Sequence, residues 1–151
     1  MRFVTVLGVV GLLLLGLAGV GYPEYNYQQQ TPAAPAAGVK QQIQTAATHS
    51  GFAAGGQSLA YVQQHLGHAL NCIEGKGGRN FNAAWGHVCE GQGNGILNDL
   101  RGVSGGAAVR PLVEHADGLA VTGVKTRDLA TARAAAAGVS ALLKVAAEYL
   151  K

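Results

Sequence analysis

The sequence predicts an all-α fold, and three observations carry that prediction. Four segments place apolar or small residues at alternating steps of three and four, the period of one helix face. Alanine, the strongest helix former, supplies much of an apolar content of 48%, whereas aromatic residues make up only 6%. The two cysteines, Cys72 and Cys89, lie at the start and inside of a glycine-rich stretch where the periodicity stops. The expected architecture is a four-helix bundle-like domain of two helical hairpins, with a Gly-rich loop tethered by a disulfide. Because alanine buries little area, the helices are expected to pack at close range.

The chain opens on Phe3–Gly21, 19 residues without a charge and with Thr5 as their one polar side chain. Arg2 precedes this stretch and no Lys or Arg follows until Lys40, a bias that keeps the amino terminus inside and sends the rest outside. It fits a signal peptide with a small-residue cleavage site at Gly16-Leu17-Ala18. It fits an uncleaved membrane anchor equally well, since an anchor needs roughly 20 apolar residues. Residues 1–21 are thus a signal peptide or an anchor, and either places the remainder outside the cytoplasm, periplasmic or secreted, or held at the inner membrane. Residues 22–37, rich in Pro, Gln, Tyr and Ala and without periodicity, read as a linker. The helical domain is then 38–151.

A first helix is expected over 38–54 from Val39, Ile43, Ala46, Ser50 and Ala53. After a turn at Gly55-Gly56, a second covers 57–73 from Leu59, Val62, Leu66, Ala69 and Ile73. The loop 74–95 follows, with Phe81 and Trp85 placed to plug it onto the helices or to form a contact surface. Residues 96–101 make a short helical turn. A third helix is expected over 107–121, with Pro111 near its start, Gly123 beyond its end, and Leu112, His115 and Leu119 on one face. A fourth covers 127–150, begun by Thr126 or Asp128, with a seam of Leu129, Ala132, Ala136, Val139, Leu143, Ala146 and Leu150.

Export explains the cysteines. Outside the cytoplasm disulfides persist, so Cys72 and Cys89 are expected to pair. Closing a loop across their separation of 17 residues is worth roughly 3 kcal/mol by chain entropy. The formal charge of +3 comes from singly scattered basic residues, which excludes nucleic acid as the main partner. No nucleophile motif or phosphate-loop spacing occurs, so the expected function is binding and not catalysis.

The residues that point to chemistry are histidines. At 100° per residue, Tyr61, His65, His68 and Cys72 fall within roughly a 60° arc of the second helix, beside its apolar seam. Two imidazoles at i and i+3 can chelate one ion, and imidazole suits copper, zinc and nickel. Two ligands do not complete a site, so His49 and His115 are the expected completers, with His87 a further candidate. Axial ligation of non-covalent haem is the lesser alternative; covalent haem is excluded because no C-x-x-C-H occurs.

From His65 onward the pattern H-L-G-H, N-C, a glycine loop, C-E-G-Q-G-N-G and N-D-L resembles a set of small exported bacterial proteins of unknown function. More loosely, the H-x-x-H spacing on an alanine-rich helix is similar to small periplasmic histidine-containing helical metal-binding proteins, which implies uptake of copper or another divalent ion. Five histidines imply one discrete site and not bulk storage. The alternative is a structural or interaction module, an accessory subunit with an envelope protein partner, attached to the membrane through Phe3–Gly21.

Overall fold

Three of the four predicted seams become the core. Val39, Ile43, Ala46, Ser50 and Ala53 are all fully buried, as are Val62, Leu66, Ala69 and Ile73. Ala132, Ala136, Val139, Leu143, Ala146 and Leu150 complete the third. The computed structural model describes residues 36–150; the expected leader at 1–21 and nearly all of the linker at 22–37 lie outside the described residues. Among the described residues every regular element is helical. These are α1 (Ala36–Ala54), α2 (Leu59–Glu74), a four-residue α3 (Ile96–Asp99), α4 (Gly106–Lys125) and α5 (Leu129–Tyr149), with 3₁₀ turns at Ala83–Trp85 and Leu100–Gly102.

The helix starts follow capping chemistry. The Ser58 hydroxyl accepts from the Tyr61 N–H, so α2 begins at Leu59 and leaves Gln57 outside. The Asp128 carboxylate accepts from the Thr131 N–H at 2.7 Å and starts α5, while the Thr126 hydroxyl accepts from the Asp128 N–H. α1 packs on α2 and α5, and α4 packs on α5 and α2. Lys40 Nζ donates to the Leu150 carbonyl and Arg133 Nε to that of Ala54, so α1 and α5 run in opposite directions. The α1–α5 contact is close enough for the buried Ser140 hydroxyl to donate to the Ala47 carbonyl across it.

α4 departs from expectation. It extends past the expected 107–121 and buries Val109, Val113, Ala116, Ala120 and Gly123. The expected face is not the core face: Leu119 and His115 are exposed and Leu112 is half-buried. Small residues line the seam because the helices come close. A Cβ on Gly123 would stand 2.4 Å from Leu66 Cδ1 and 3.1 Å from Ala135 Cβ, so this glycine is an interior packing residue and does not end the helix. Leu119 instead lies over Gly138, where a Cβ would come within 2.8 Å of its Cδ1. Pro111 sits inside the helix, where its ring removes one backbone donor, and on the exposed side.

The loop between α2 and α3 is closed at its neck. Gly75 (φ 72°) and Gly95 (φ 109°) cross backbone on backbone: a Cβ on Gly75 would lie 2.0 Å from the Asn94 carbonyl oxygen. No other residue type meets both the positive φ and this approach. The Cys72–Cys89 disulfide ties the loop to the last turn of α2, a bond that oxidising, extracytoplasmic compartments sustain. Buried Asn71 holds the loop's middle: its amide donates to the Asn82 and Gly86 carbonyls at 2.8 and 2.7 Å, and its Oδ1 accepts from the Asn82 N–H. Trp85 lies flat on α2 over Gly67, where a Cβ would meet its ring at 2.2 Å. On the α1 side, buried Gln42 donates to Asp99 Oδ2 at 2.9 Å and accepts from the Gly95 N–H. Asn71, Gln42 and Asp99 thus tie the loop's backbone to the helices through buried hydrogen bonds.

Two stability changes follow. Replacing Cys72 and Cys89 with serine is expected to lower unfolding free energy by about 3 kcal/mol, read by urea denaturation; an unchanged midpoint would contradict the loop's dependence on the bond. Alanine normally stabilises a helix relative to glycine by about 1 kcal/mol. Gly67→Ala should nevertheless destabilise this protein by about 1–3 kcal/mol through overpacking. In a Trp85→Ala background the same change should become neutral or stabilising.

Candidate metal centre

α1 packs on α2, and the histidines beside their buried faces are carried into one cluster. His49 follows the pair Ala46 and Ala47 and precedes buried Ser50 on α1; His65 and His68 flank Leu66 and Gly67 on α2. All three imidazoles are half-buried. His49 Nδ1 stands 3.1 Å from His65 Nδ1 and 3.1 Å from His68 Nδ1. One ligand nitrogen from each of the three lies within 4.8 Å of the others, close enough to hold a single metal ion. The rings of His49 and His65 are stacked at 5.3 Å, and that of His68 stands edge-on to both.

These separations have a chemical meaning. Two nitrogens bound to one tetrahedral ion at about 2.0–2.1 Å stand about 3.3 Å apart. In a metal-free cluster, His49 Nδ1 has two nitrogen partners but only one lone pair or one N–H to offer them. A hydrogen bond satisfies one contact well; a shared cation satisfies all three nitrogens. Burial, and then the neighbouring His68 and His65, lower the His49 pKa from 6.5 to about 4. Burial and His68 lower that of His65 as well. Both are therefore neutral at pH 7, the protonation state a metal requires.

The loop braces the cluster. The Nε2 edge of His68 faces Gly86, where a Cβ would lie 3.5 Å away. The Tyr61 ring packs on His65 at 4.4 Å, and Phe52 stands edge-on to both His49 and His65 at 5.6 Å. Tyr61 shares the predicted histidine face of α2. Phe52 sits three residues after His49 and so on the same side of α1, the one signal of its place that the sequence carries.

The other candidates lie elsewhere. His115 is exposed on α4, its Nδ1 2.6 Å from the Pro111 carbonyl one turn earlier, and it does not join the group. His87 lies in the loop against Phe81 at 5.3 Å with Nδ1 buried. Burial first, and then Lys76, lower its pKa. Of the expected contact pair, Trp85 is half-buried against the core and Phe81 half-buried beside His87. The loop asparagines and Asp99 take part in the loop's internal bonds. Asn80 donates twice to the Glu74 carboxylate at 2.6 Å, and Asn94 donates to Asp99.

One carboxyl pair has no obvious sequence signal. Asp117 on α4 meets Glu74 at the end of α2, with Asp117 Oδ1 buried and without a partner. Burial, then the charge and hydrogen bond of Glu74, raise the Asp117 pKa from 3.8 to about 6, against a smaller opposing pull from Arg79. The two residues are 43 positions apart and only the α2–α4 contact joins them.

No protein-family model matches this chain, and neither a curated protein nor a solved structure is similar to it.

Between about pH 4 and 6 the folded protein holds more protons at Asp117 than the unfolded chain, so this group's contribution to stability is full below that window and lost as pH rises through it. Asp117→Asn removes the slope. The variant is expected to be more stable than the parent at pH 7 but not at pH 4, by urea denaturation at both. An equal difference at both pH values would contradict the assignment.

Proposed function

We propose that the protein is an extracytoplasmic helical binder of one transition-metal ion, held by His49, His65 and His68, that acts by binding and not by catalysis. The observation that carries this is the convergence of three imidazoles: His49 Nδ1 stands 3.1 Å from Nδ1 of both His65 and His68, near the spacing of a shared ion, and one ligand nitrogen from each of the three lies within 4.8 Å of the others. Copper, zinc and nickel all suit an all-imidazole set. Haem is disfavoured, because the three nitrogens aim at one another and not at a flat slot. The four long helices, taken as two hairpins around one core, make a stiff frame on which two helices hold the ligands. The disulfide favours an exported location, in keeping with the hydrophobic Phe3–Gly21.

The alternative of an interaction module draws on the apolar side chains that face solvent, chiefly Tyr149 and Val145 on α5. By length and composition α5 is also apolar enough to cross a membrane, but its seam lies in the protein core. Neither feature names a partner, so metal binding is the stronger proposal.

Isothermal titration of the oxidised protein with copper, nickel and zinc tests it. One equivalent is expected to bind. Alanine at His49, His65 or His68 should each weaken binding by about tenfold or more, the cost of one lost ligand or its support, and His115→Ala should leave it unchanged. Affinity should fall on acidification most steeply toward about pH 4, where His49 takes up a proton that competes with the ion. Binding unaffected by the three substitutions would refute the assignment.

A further inference from the structure

The cluster supplies three ligands, and among the described residues no fourth histidine, cysteine or carboxylate joins them. A site with three protein ligands keeps a coordination position for something else. Imidazole binds a metal in its neutral form, so a divalent ion held by three imidazoles retains its full double charge in a half-buried setting. The nearest compensation has to come from outside the chain, and an anion supplies it.

The surroundings say what else that anion carries. Phe52 and Tyr61 are 49% and 43% exposed, unusual for large apolar side chains, and both rings rest on His65. Their outer faces line a cleft of about 580 Å³ floored by Gly51, Gly55 and Gly56. Gly56 is required there: a Cβ would stand 2.8 Å from Tyr61 Cδ1 and 2.6 Å from Val62 Cγ2, so the glycine lets Tyr61 lie down against the turn. The cleft's polar side chains are already engaged, Gln57 donating to the Gly55 carbonyl and the Ser58 hydroxyl accepting from the Tyr61 N–H. What remains on offer is aromatic and backbone surface. The histidine cluster and the apolar cleft are therefore neighbours: Phe52 and Tyr61 line the cleft and each also contacts the His65 ring.

We infer that the metal centre takes an exogenous carboxylate-type anion bearing an aromatic or apolar group, the anion on the ion's open position and the apolar group on Phe52 and Tyr61. This rests on the metal assignment above and goes beyond it by naming the class of ligand. No bond is made or broken in the ligand, and binding requires no change in oxidation state.

The test uses the full-length oxidised protein loaded with cobalt(II), whose visible absorption reports its ligands. Acetate and phenylacetate are titrated separately. Both are expected to change the spectrum, with phenylacetate binding about tenfold more tightly, the order expected for partly burying a phenyl ring. In the Phe52→Ala/Tyr61→Ala variant, the preference for phenylacetate over acetate should fall to about twofold or less, a ratio that any general weakening of the metal site leaves unchanged. A cobalt spectrum that neither anion alters would overturn the inference while leaving metal binding intact. Equal affinities in the parent, or a preference that survives in the double variant, would overturn it too. Failure of cobalt, copper, nickel and zinc alike to load would remove both this inference and the metal assignment.

Discussion

Within the last turn of α2 and its cap, Asn71, Cys72, Glu74 and Gly75 each grip a different point of the loop that follows. Asn71 takes the backbone at Asn82 and Gly86, and Cys72 takes Cys89. Glu74 takes Asn80, and Gly75 crosses the neck at Asn94 and Gly95. A loop of this length, with its many glycines, has a large conformational entropy to lose. Four attachments within five residues restrain it, and the disulfide does so in the unfolded chain as well. The cost is concentrated at one helix end, which must itself stay helical for any of the attachments to register.

That end is coupled to the histidines. Trp85 reaches α2 only because the loop is closed, and it lies on Gly67, between Leu66 and His68. Gly86, held by Asn71, backs the Nε2 edge of His68. The stacking of His49 on His65 comes from the other side, where α1 packs on α2. The proposed metal centre therefore lies between a helix contact and a loop contact. Preorganisation of this kind matters because a ligand placed by a flexible segment loses affinity to the ordering it must undergo.

Two electrostatic settings share α2. Along the face toward α1, burial and mutual repulsion keep His49 and His65 neutral, which leaves lone pairs for a cation. At its carboxyl end, burial and the proximity of Glu74 raise the Asp117 pKa, which keeps a proton on a carboxyl into the mildly acidic range. The same physical cause, loss of water around a charge, pushes a base down and an acid up.

The residue spacing alone determined α1, α2 and α5, their core faces and the presence of His65 and His68 on one side of α2. Those properties depend on neighbours three and four positions away, which the sequence displays directly. Export chemistry likewise foretold the Cys72–Cys89 pair. The choice between His49 and His115 as partner to the α2 histidines was open in the sequence, because both stand on helices adjacent to α2. Only the placement of α1 against α2 brings His49 near, while His115 faces solvent on α4. The core face of α4, the role of Gly123, the seat of Trp85 and the Glu74–Asp117 pair were decided in the same way. Each depends on how closely two helices, or a helix and a loop, approach. That distance is set by the volumes of side chains far apart in the chain, which no local period records.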